Sequence, residues 1–108
     1  PDPASNPYLA LAVCLAAGLD GIERGLVPPE EVTEDIFSMD AKTRAENGID
    51  NLPGTLFEAL KHMERDPLIA ETLGSHAYNS FLTGKYHEWD EYRTQVTTWE
   101  IGKYMVMY

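Results

Sequence analysis

The sequence predicts a mainly α chain of five to six helices joined by long loops, with no substantial sheet. Three observations predict it. Helix-start signatures recur along the chain at Asn6-Pro7, Thr55 with Glu58, Asp66-Pro67, and Thr97 with Glu100. Between them, apolar residues return every three or four positions, the helical period. No segment alternates apolar and polar residues as a half-buried strand would.

The first helix is expected from Pro7 to about Arg24, with Asn6 as N-cap and Gly25 closing it in the left-handed conformation. Residues 3–19 carry no charge, so this helix is apolar almost all round and needs cover on every side. Leu26 to Ile36, with Pro28-Pro29 and its glutamates, reads as an extended surface connection with at most a short turn after Thr33. Asp40 starts a short helix, AKTRAEN, which Gly48 closes, and IDNLPG is a turn. Thr55 and Glu58 form a capping box for Leu56 to Arg65. Asp66-Pro67 opens a further piece that Gly74 ends, and Ser75 caps the longest amphipathic helix, to about Arg93. Its stripe of Tyr78, Phe81, Leu82, Tyr86, Trp89 and Tyr92 is read as core. Thr97 and Glu100 cap a last helix bearing Trp99, Ile101, Tyr104, Met105, Val106 and Met107.

At 108 residues the chain is one domain, and its 44% hydrophobic content excludes general disorder. Lys and Arg number 8 against 18 Asp and Glu, and residues 20–66 alone hold twelve acids and five bases. Such a field repels a phosphate backbone, which excludes direct nucleic-acid binding. The apolar run Pro7–Leu19 is too short to span a bilayer, and no secretory signal precedes it. The lone Cys14 cannot form an internal disulfide, fits a reducing cytoplasm, and reads as a small buried hydrophobe.

Nothing in the chain assembles a catalytic, cofactor-binding or metal site. His87, Asp90 and Glu91 share a helical face, but a metal site needs converging ligands from a second element. The reading preferred for them is a solvated face. His62 and His76 read as surface or capping residues. Gly18, Gly21 and Gly25 fall within and at the end of a helix, not between a strand and a helix N-terminus where phosphate is cradled. The tail YMVMY is different, because its large apolar groups stand where chains fray. It is expected to dock into a groove of this chain or another. The opening PDPASNP, a proline-punctuated turn without an initiating Met, reads as the middle of something longer.

Three blocks in collinear order carry a resemblance: PDPASNPYLALAVCLAAGLDGIERGL, EDIFSMDAKTRAENGIDNLPGTLFEAL and EWDEYRTQVTTWEIGKYMVMY. Together they resemble the carboxy-terminal part of the catalytic domain in type I glutamine synthetases of bacteria and archaea. The resemblance implies a cytosolic ligase that joins ammonia to glutamate through γ-glutamyl phosphate, using ATP and Mg²⁺ or Mn²⁺. It also implies that the β-grasp domain, the active-site strands and every metal-binding or substrate-binding residue lie upstream of Pro1. The chain alone is then inactive. Phe37 falls where the adenylylated subgroup has its modified tyrosine, and without a hydroxyl it implies the feedback-inhibited subgroup, which in some bacteria also binds nitrogen regulators. The family's last helix reaches into the facing ring of a homo-dodecamer, a role that would fall to Trp99, Tyr104, Met105, Val106, Met107 and Tyr108. Set beside this is a different class of reading, a free-standing all-α protein-interaction module, which should be closed and stable by itself.

Overall fold

The computed structural model describes residues 3–105. They form five α-helices in the order α1 (Pro7–Glu23), α2 (Ala41–Glu46), α3 (Leu56–Arg65), α4 (Pro67–Arg93) and α5 (Thr98–Tyr104). One 3-10 turn, Ile36–Ser38, interrupts the long connection before α2. No strand occurs among the described residues.

Each helix begins on a side chain that takes up an orphan backbone donor. Asn6 Oδ1 accepts from the N–H groups of Tyr8 and Leu9, at 3.0 and 3.3 Å. Asp40 Oδ1 accepts from Thr43 N–H at 2.7 Å, and that bond holds the Asp40 carboxyl below the ordinary carboxylate range. Thr97 and Glu100 complete a reciprocal box, with Glu100 Oε2 accepting from Thr97 N–H at 2.7 Å and Thr97 Oγ1 accepting from Glu100 N–H at 3.2 Å. The box at α3 is only half made. Thr55 Oγ1 does accept from Glu58 N–H, but the Glu58 carboxylate accepts instead from Gly54 N–H, at 2.8 Å. It reaches one residue further back than a closed box requires, and so pins the turn before the helix.

Gly25 and Gly48 end their segments at φ +62 and +67, as left-handed closures require. Gly74 breaks α4 at φ +71, ψ 157, a backbone state open essentially to glycine alone. The helix-ending role read for Gly74 is therefore met, although the two pieces follow each other without a loop. Gly74→Ala is expected to destabilise the chain by about 1–3 kcal/mol through backbone strain. Gly84→Ala is expected to gain about 0.5–1 kcal/mol, because Gly84 lies inside the second piece with open space where a Cβ would sit. Urea titrations followed by far-UV circular dichroism compare the two, and equal midpoints would remove the strain argument.

α4 is the hub, with α3 and α1 both packing on it. α3 runs antiparallel to the second piece of α4. The Tyr78 hydroxyl lies 3.5 Å from the Met63 carbonyl at one end, and at the other Phe57 stacks on Trp89 with ring centroids 6.0 Å apart. Phe57 also meets Tyr86 edge-on at 6.3 Å. Tyr78, Phe81, Leu82, Tyr86 and Trp89 are half-buried along this seam, while Tyr92 is exposed, so the predicted core stripe stops at Trp89. The five Lys or Arg salt bridges given by the described residues, like the His87–Glu91 contact, each join partners three or four positions apart along one helix. Among the described residues Leu60, 2% exposed, is the one fully buried side chain. The Cα radius of gyration is 18.6 Å, where a compact domain of about this length has roughly 13 Å. The helices are well formed, but the described residues enclose almost nothing.

Candidate docking surfaces

α1 meets α4 along one side only. Leu9, Ala10, Val13, Ala16 and Gly21 are half-buried on that side. At the helical repeat, Tyr8, Leu11, Leu15, Leu19 and Ile22 fall within roughly 80° of arc on another side. All five are exposed, Leu11 by 71% and Leu15 by 65%. The described residues cover α1 on one side only, so the cover that its other sides need is not supplied by them. Cys14 is likewise exposed rather than buried, because it lies off the strip that α4 reaches.

A second exposed apolar group stands on α5. Trp99 is 63% exposed and meets the Tyr104 ring edge-on, centroids 6.2 Å apart. Lys103 Nζ sits 4.6 Å from the Trp99 ring centroid, so the ammonium caps the indole face. Tyr104 and Met105 are also exposed. The Thr97 N–H bond lowers the Glu100 carboxyl below its ordinary range and so favours the charged form that closes this helix start. Val106, Met107 and Tyr108 lie outside the described residues.

Phe37 is 98% exposed on the 3-10 turn, whose start is held by Asp35 Oδ1 accepting from Phe37 N–H at 3.1 Å. An open groove of about 440 Å³ lies beside the Phe57–Trp89 stack, lined by Thr55, Leu56, Trp89 and Tyr92 among others. Sequence reading did not find this groove, because its walls come from two helices and a turn.

The His87 face does not gather into a cation site. Asp90 Oδ1 accepts from Arg93 Nε at 2.7 Å, while Glu91 Oε2 lies 3.6 Å from His87 Nδ1, and all of these groups are exposed. Among the described residues no three His, Cys, Asp or Glu side chains converge where a metal ion could be held.

Residues 1–104 match the family model described as "Glutamine synthetase, catalytic domain". This chain belongs to the glutamine synthetase family. It is 52% identical over its full length to the glutamine synthetase of Clostridium saccharobutylicum, and 51% identical to that of Thermus thermophilus. The Staphylococcus aureus glutamine synthetase is 50% identical over 107 residues. In each case the match takes up 24% of the relative, so the chain spans about a quarter of the length of the synthetases it resembles. The matched quarter is the carboxy-terminal one. A solved structure, apo GmaS without ligand, superposes with a TM-score of 0.78 at 37% identity, covering 97% of this chain and 24% of that one.

Proposed function

We propose that this chain is the carboxy-terminal helical part of a glutamine synthetase, acting in packing and inter-subunit docking rather than in the chemical step. The observation that carries the reading is the bare apolar strip of α1, on a chain whose described residues bury one side chain completely. Covering each leucine or isoleucine of that strip is worth about 1.5–3 kcal/mol, and contiguous exposed apolar patches mark contact surfaces. A free-standing interaction module would need a core of its own, and Leu60 alone does not make one.

On this reading the β-grasp domain and the active-site strands lie upstream of Pro1, and the α1 strip lies beneath that sheet. The parent enzyme joins ammonia to glutamate through γ-glutamyl phosphate in the cytoplasm, using ATP and Mg²⁺ or Mn²⁺. The described residues offer no converging ligand set for those cations, so no step of the reaction is assigned to them. Among the described residues no helix is long and apolar enough to cross a membrane. Phe37 supports the feedback-inhibited subgroup, since its ring has no hydroxyl to adenylylate. That subgroup also includes enzymes controlled by nitrogen regulators.

Docking into a subunit of the facing ring of a dodecamer is assigned to Trp99, Tyr104 and Met105, with Val106, Met107 and Tyr108 continuing them. The exposed Trp99–Tyr104 pair, capped by Lys103, supports this, since aromatic groups of this kind anchor interfaces.

Two measurements test the proposal. The purified 108-residue chain is expected to form no glutamine from glutamate, ammonia, ATP and Mg²⁺, and turnover above background would refute the upstream placement of the catalytic groups. Ending the full-length synthetase after Thr98 is expected to convert dodecamers into smaller species in sedimentation velocity. An unchanged dodecamer would remove the docking role from α5.

A further inference from the structure

We draw no further inference here: the strongest candidate, the open groove between α3 and the end of α4 lined by Thr55, Leu56, Trp89 and Tyr92, carries nothing because nothing in the structure shows what covers it.

Discussion

Leu11→Asp combined with Leu15→Asp is expected to abolish assembly and activity of the full-length synthetase while leaving the isolated chain almost unchanged. In the isolated chain both side chains point to solvent. Exposed substitutions of this kind shift stability by about 0.5 kcal/mol or less. Under the proposed sheet, each leucine forfeits about 1.5–3 kcal/mol of burial, and each new carboxylate has to be desolvated without a partner. The combined penalty is on the order of the whole stability of a domain, about 5–15 kcal/mol. Circular dichroism of the isolated variant and sedimentation with a glutamine-forming assay on the full-length variant give the two arms. A full-length variant that assembles and turns over normally would show that the α1 strip is never covered.

The second large effect is expected at Leu60, and it runs the other way. Leu60→Ala should cost about 2–5 kcal/mol through lost burial and the cavity left behind, in the isolated chain as well as in the full-length protein. The loss falls on the α3–α4 seam, because Leu60 is the side chain that this seam encloses completely. Leu60→Met keeps most of the volume and should cost less than about 1.5 kcal/mol. Hydrogen exchange of α3 and α4 amides reads the difference directly. If alanine and methionine protect those amides equally, the seam is not held by Leu60.

The sequence made the helix starts legible because capping is decided within four residues. Asn6, Asp40, Thr55, Asp66 and Thr97 all accept the backbone donors expected of them. Gly74 was legible for the same reason, since a turn of chain that only glycine adopts leaves its mark at one position. Glu58 shows where that local vision ends. A capping box would have its carboxylate accept from Thr55 N–H, but it accepts from Gly54 N–H, a choice made by the preceding turn rather than by the four-residue pattern.

The sides of α1 were not legible. A helix with no charge over residues 3–19 has no polar face to mark the outside. Which strip meets α4, and therefore that Cys14 is exposed, depends on a neighbour about fifty residues or more away in sequence. The tail could be read as adhesive from composition alone, yet no pattern within it names the surface it meets.

The five Lys or Arg salt bridges all run along single helices, and this has a mechanical consequence. Among the described residues charge ties turns together within α1, α2, α3 and α4 but bolts no rod to the next, so the joints between rods rest on apolar and aromatic packing. A mating surface can therefore nudge the rods into final alignment without first breaking an ionic link, which makes the segment rigid in its parts and adjustable at its seams.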